Sequence, residues 1–111
     1  MGTGLQLGEF EQVVLLAILR LKDDAYGASI GVEIAACTQR EPAAGALYTT
    51  LDRLEDKGLV RWKSGPGTPA RNGLPRRVYA VTPGGLVALR ASRKTLQRMW
   101  HGLEHLLEDP R

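Results

Sequence analysis

A chain of 111 residues with 43% hydrophobic content can bury one small core and little more, so it reads as a single domain that gains stability by pairing with a second copy. Its one cysteine, Cys37, excludes an internal disulfide framework, fits a reducing compartment and is expected to be a small buried apolar residue. The net charge of +3 says less than its distribution: ten Lys or Arg and no Asp or Glu lie from Lys57 to Arg98. Such a span favours a polyanionic partner, because neutralised phosphates drive non-specific nucleic-acid binding; the plainer reading is a solvated basic face.

Residues 1–6 are small and polar and are expected to form a flexible N-terminus. No basic stretch leads into an apolar run, and residues 13–19 are too few to span a bilayer, so a soluble, cytoplasmic protein is expected. Residues 7–21 read as a first helix with Phe10, Val13, Val14, Ala17 and Leu21 on one stripe. Leu15, Leu16, Ile18 and Leu19 make that helix apolar nearly all round, which demands cover on more than one side. Residues 25–37 form a second helix, with Ile30, Ile34 and Cys37 expected to face inward. Gly27 and Gly31 each weaken it by about 1 kcal/mol relative to alanine, and such glycines suit the close approach of another backbone.

A turn over residues 38–41 leads to a third helix, whose first turn suits Pro42. Within residues 45–58, Leu47, Leu51 and Leu54 recur at helical spacing and point inward. Gly45, Tyr48, Thr49, Asp52, Arg53 and Asp56 fall on the outer side, and Gly58 is the expected stop. Two helices joined by a short turn, the second with a polar outer face, make a helix-turn-helix. Residues 59–63 then read as a strand, 64–75 as a Gly/Pro loop and 76–81 as a second strand. The hairpin carries Lys63, Arg71, Arg76 and Arg77 and makes the basic wing of a winged helix-turn-helix. Its glycines lack the lysine and hydroxyl pattern of a phosphate-binding loop.

Thr82 and Pro83 open a last helix that is expected to run to about Glu108. Leu89, Leu96, Met99, Leu103 and Leu106 sit on a seven-residue repeat, with Trp100 and Leu107 widening its seam. Another chain, or the first helix of the same chain, must cover that seam; the expected dimer interface is therefore Phe10, Val14, Leu89, Leu96, Met99, Trp100, Leu103 and Leu106. The fold class is thus mainly α with a small β-hairpin: a winged helix-turn-helix over residues 7–83, a dimerisation helix over 84–108 and a tail from 109 to 111.

Four segments stand out together: Asp24-Ala-Tyr-Gly27, Gly45-Ala-Leu-Tyr-Thr-Thr-Leu-Asp-Arg-Leu-Glu55, Lys57-Gly-Leu-Val60 and Arg77-Val-Tyr-Ala-Val-Thr-Pro-Gly-Gly85. On these the chain resembles the PadR-like family of bacterial transcription regulators. The resemblance implies a homodimeric, ligand-responsive repressor on a near-palindromic operator, with no cofactor. By that resemblance Tyr26 and Tyr48 touch the DNA backbone, Gly45 and Thr49 open the helix that enters the major groove, and Arg76 and Arg77 reach phosphates or the minor groove. Tyrosine hydroxyls and arginines suit those roles chemically. Ala43 and Ala44 stand where the family often has Ser and a larger polar residue or Pro, so a helix cap is missing and base readout falls to Thr49, Arg53 or an alanine–thymine methyl contact. The resemblance also implies a flat, apolar or aromatic effector held at the dimer interface, with Leu96, Met99 and Trp100 as candidate lining.

Two other readings compete. His101-Gly-Leu-Glu-His105 matches the H-x-x-E-H pattern of a zinc hydrolase, in which both histidines would share a helix face with Glu104 as the base. A winged helix can also serve as a protein-interaction module without specific DNA binding.

Overall fold

In the computed structural model, which describes residues 7–67 and 72–108, three helices and a hairpin precede a longer helix. Helix α1 is Glu9–Leu21, α2 is Gly27–Thr38 and α3 is Ala44–Asp56; strands β1 (Val60–Gly65) and β2 (Arg76–Val81) follow, then helix α4 (Pro83–Trp100). The strands pair antiparallel, from Val60 opposite Val81 to Gly65 opposite Arg76. On its other edge β2 reaches the segment before α2, where the Tyr79 amide donates to the Ala25 carbonyl at 2.7 Å. That bond ties the wing to the start of the helix-turn-helix. Among the described residues no helix is long and apolar enough to cross a membrane.

The core lies where α1, α2 and α3 meet the base of the hairpin. Val14, Leu15 and Ile18 of α1 pack with Ile30 and Ile34 of α2 and with Leu47, Leu51 and Leu54 of α3, all nearly or fully buried. Leu59, Val60, Tyr79 and Ala88 close it from the hairpin and α4. The inward leucine stripe of α3 is therefore as its spacing predicts. Helix α3 ends as expected too: Gly58 takes a φ of +75°, its amide donates to the Glu55 carbonyl, and the Leu59 amide donates to the Leu54 carbonyl. This is a Schellman stop, and the left-handed turn it requires favours glycine. Helix α4 starts on Thr82, whose hydroxyl accepts the Gly85 amide at 3.1 Å and donates to the Gly58 carbonyl at 2.7 Å. One side chain thus caps α4 and staples it to the end of α3.

Several expectations need correction. Helix α4 stops at Trp100, not near Glu108: His101 leaves helical geometry, Gly102 takes a φ of +84°, and Glu104–Leu107 is a 3-10 turn. The seven-residue repeat continues past a residue that the backbone uses to turn, so Leu103 and Leu106 leave the seam. Val14 is wholly buried in its own subunit's core and has no surface to offer a partner, while Phe10 packs partly buried against that core. Cys37 is exposed, its thiol 3.6 Å from the Glu33 carboxylate, because the packing of α2 turns that position outward. Pro42 precedes the cap residue Ala43 rather than entering the first turn of α3.

A partly buried ion pair links the start of α1 to the end of α3. Lys57 Nζ lies 2.7 Å from Glu11 Oε2, and the other carboxylate oxygen accepts the Gly8 amide at 2.9 Å. Burial pushes the Glu11 pKa up, but the Lys57 ammonium and the Gly8 amide outweigh it and hold the carboxyl below its ordinary value. Its stabilising contribution is therefore complete above about pH 4.5 and is lost as pH falls through the depressed folded value. Glu11→Gln is expected to cost about 1–2 kcal/mol at neutral pH, less than a fully buried pair because Lys57 is partly exposed. Urea unfolding at pH 7 and pH 3.5 checks this: the gap between wild type and variant should narrow at the lower pH.

Candidate nucleic-acid interface

The first turn of α3 carries no side-chain cap, as Ala43 at the cap position predicts. Ala43, Ala44 and Gly45 are exposed, leaving backbone amides and small side chains at the tip. Such a tip can lie close to a groove floor, and free helix-start amides favour anions. Behind it Tyr48 is half exposed and Thr49 exposed, whereas Thr50 turns into the core. Arg53 sits about 13 Å further along the helix axis. It is exposed and near enough to Glu11 to help hold that carboxyl ionised, and it stands well back from the tip.

The start of α2 supplies the second part. The Arg76 guanidinium stacks on the Tyr26 ring, 3.6 Å from its centroid, joining β2 to the residue that precedes α2. Its Nε is buried without a hydrogen-bond partner among the described residues, so any outward hydrogen bond must come from the other two guanidinium nitrogens. Next to Tyr26, Gly27 has no side chain because the Tyr48 ring occupies that space: a methyl group there would overlap the phenol end of the ring. Tyr26, Tyr48 and Arg76 therefore form one cluster drawn from α2, α3 and the wing. The close approach expected at Gly27 is real, but the visitor is a tyrosine side chain rather than another backbone.

The two wing arginines part company. Arg77 lies on the inner face of β2 with Tyr79, and its guanidinium sits 4.2 Å from the Trp62 ring centroid. Trp62 in turn donates its indole N–H to Glu55 of α3 at 3.0 Å. Burial raises the pKa of the Tyr79 phenol and the neighbouring Arg77 pulls part of that shift back. Arg77 thus braces the hairpin against α3 while remaining exposed at its rim. Arg76 belongs to the outer face, together with Lys63 of β1, which is exposed. Arg71 lies outside the described residues.

At the other end of the molecule, Leu16, Leu89, Leu96 and Trp100 line a groove of about 710 Å³ between α1 and α4, edged by Gln12, Arg93 and Gln97. Leu16, Leu19, Leu96, Met99 and Trp100 are all more than a third exposed, a concentration of large apolar side chains that a lone subunit leaves facing water. Met99 does not line the groove, and Phe10 borders a different one, between the start of α1 and the α2–α3 turn. The turn at Gly102 separates His101 from His105, so the shared helix face suggested by the H-x-x-E-H pattern does not form. Among the described residues no three His, Cys, Asp or Glu side chains are grouped to hold a metal ion.

Sequence reasoning named Tyr26, Tyr48 and Arg76 separately but gave no sign that they meet, since 22 positions separate the tyrosines and no local pattern links them.

A helix-turn-helix with an open third helix and a basic hairpin beside it defines a winged helix-turn-helix. The chain belongs to the Transcriptional regulator PadR-like family, whose profile matches residues 15–91. Solved structures agree in fold. A PadR-like transcriptional regulator from Bacillus cereus superposes with a TM-score of 0.69 at 19% identity, covering 90% of this chain and 92% of that one. A PadR family regulator from Eggerthella lenta gives 0.66 at 28% identity, covering 90% and 87%. One from Clostridium difficile R20291 gives 0.65 at 22%, covering 89% and 99%. Comparison with curated proteins finds no match.

Proposed function

We propose that this protein is a cytoplasmic, homodimeric repressor that binds a palindromic DNA operator and leaves it when a flat, apolar effector enters the dimer interface. The observation that carries the DNA reading is the exposed, uncapped start of α3 beside the Tyr26–Tyr48–Arg76 cluster. In this reading the two tyrosines and Arg76 hold phosphates, Gly45 and Thr49 enter the major groove, and Ala43 and Ala44 meet thymine methyls. Arg53, Lys63 and Arg77 add positive charge around them, and Arg71 is a further candidate contact by sequence. The sequence from Lys57 to Arg98 carries no carboxylate, so the hairpin itself adds only positive charge.

The exposed apolar face of α1 and α4 supports the dimer. A second copy covers Leu16, Leu96, Met99 and Trp100 and sets two α3 helices about one DNA turn, roughly 34 Å, apart. Leu96 and Trp100 on the groove wall support the effector site, and a ligand that favours one dimer spacing shifts the population away from the DNA-competent form. Titrating planar compounds while following tryptophan fluorescence tests this part, with Trp100→Ala as the control because Trp62 also emits.

Binding to duplexes from the protein's own promoter, measured by fluorescence anisotropy across a salt series, tests the central claim. The expected result is affinity that falls steeply with salt, by roughly 0.9 in log–log slope for each phosphate contact. Weak binding that is flat with salt would instead favour a winged helix that docks on protein.

A further inference from the structure

A carboxylate in the last turn of α3 stands where neither the helix nor DNA gains from it directly. Glu55 opposes the helix dipole there, and it is exposed on the face that also carries Tyr48, where its charge repels phosphate. The two residues lie seven positions apart, hence on one side of the helix and about 10 Å apart along its axis. Tyr48 leans over Gly27 at the start of α2. Glu55 turns to the wing instead, where its Oε2 accepts the Trp62 indole N–H at 3.0 Å. The same indole carries Arg77 over its ring, 4.2 Å from the centroid. Trp62 pairs with Tyr79 across the strands, so Arg77 is its diagonal neighbour on that face. A carboxylate at the N–H edge of an indole pushes electron density into the ring, and a cation over the face gains from that density. Glu55, Trp62 and Arg77 therefore reinforce one another as a chain from α3 to β2.

We propose that Glu55 and Trp62 are positioning residues for DNA recognition: they fix the angle of the wing against α3 and touch no DNA themselves. The inference rests on the DNA-binding reading above and assigns a role to two residues which that reading leaves out. A two-stranded hairpin is too weakly held by its own ladder to keep one angle, so its attachments set it. Its base is fixed by the Tyr79 amide on the Ala25 carbonyl and the Thr82 amide on the Leu59 carbonyl. Further out, Arg76 on Tyr26 holds it to the start of α2, and Trp62 on Glu55 holds it to α3. The first contact is made by a cation that phosphate also attracts, whereas the second joins an indole to a carboxylate and stays intact while phosphates bind. The Trp62–Glu55 bond thus keeps wing and reading helix in one frame. Its effect falls on the specific complex, where phosphate contacts fix the register of base readout. Non-specific binding needs only positive charge.

The test measures affinity for two duplexes of equal length, one from the protein's own promoter and one of shuffled sequence. Trp62→Phe keeps an aromatic ring beneath Arg77 and the charge unchanged but cannot donate to Glu55. It is expected to lower affinity for the promoter duplex about tenfold while leaving the shuffled duplex and the melting temperature nearly unchanged. Glu55→Ala should lower the ratio of the two affinities by the same factor, with non-specific affinity slightly raised by the lost negative charge. Glu55→Gln, whose amide oxygen still accepts the indole N–H, should keep most of the ratio. In the Glu55→Ala background Trp62→Phe should cost nothing further. A purely structural role would lower the melting temperature and both affinities together, and a direct contact of Trp62 with DNA would persist without Glu55; either result overturns the proposal. Wild type that favours the promoter duplex, with variants that keep its ratio, overturns this inference alone. Wild type that binds both duplexes alike overturns it together with the regulator reading.

Discussion

Replacing Gly27 by alanine is expected to weaken operator binding about tenfold, the worth of one hydrogen bond to a charged phosphate, while barely moving the melting temperature. The methyl group would overlap the Tyr48 phenol, so the ring has to swing aside. Tyr48 is half exposed, which makes that movement cheap for the fold. Alanine also favours the helix by up to about 1 kcal/mol over glycine, offsetting what strain remains. What is lost is the placement of the Tyr48 hydroxyl over Gly27 at the start of α2, and with it the phosphate contact proposed for that tyrosine. The effect should run through Tyr48 alone: in a Tyr48→Ala background, Gly27→Ala should cost nothing further. Anisotropy measurements on the four proteins of that cycle decide it. An undiminished affinity, or a loss that persists without the tyrosine, would sink the claim.

On the dimer proposed above, Leu96→Glu should give a monomer and lower operator affinity by about a hundredfold or more, because each half-site then binds without the effective concentration its twin provides. Leu96 is half exposed in a single subunit, so the fold tolerates the charge; in a dimer the same carboxylate would be buried without a partner. Val87 gives the control. It is also exposed, on the same helix, nine residues away and hence about half a turn round on the opposite side. Val87→Glu should leave both mass and operator binding unchanged. Sedimentation velocity at micromolar concentration reads the first effect and anisotropy the second, and a Leu96→Glu protein that remains a dimer would move the interface elsewhere.

These two expectations draw on different kinds of information. The exposed α4 seam was visible as a heptad pattern, but the pattern did not stop where the helix does. Periodicity counts leucines, and it carried Leu103 and Leu106 along because nothing in the count registers that Gly102 turns the backbone. Val14 was assigned to a partner for a similar reason. A helix apolar on all sides does not say which side its own subunit takes, and here Val14, Leu15 and Ile18 go inward while Leu16 and Leu19 stay out. Cys37 was assigned by composition, since free cysteines are usually buried, yet the rotation of α2 against α1 leaves it exposed. The two arginines at 76 and 77 looked like one feature because they adjoin, although a strand must send them to opposite faces.

By itself the sequence determined the order of helices and strands, the inward leucines of α3, the stop at Gly58, the cap at Thr82 and the basic span, because each depends on neighbours within a turn or two of the chain. Only the tertiary structure decided that Tyr48 rests on Gly27, that Arg76 stacks on Tyr26 while Arg77 braces Trp62, and that Trp62 reaches Glu55 of α3. Those meetings depend on how whole elements rotate and dock to bury the shared core, and no local spacing encodes that.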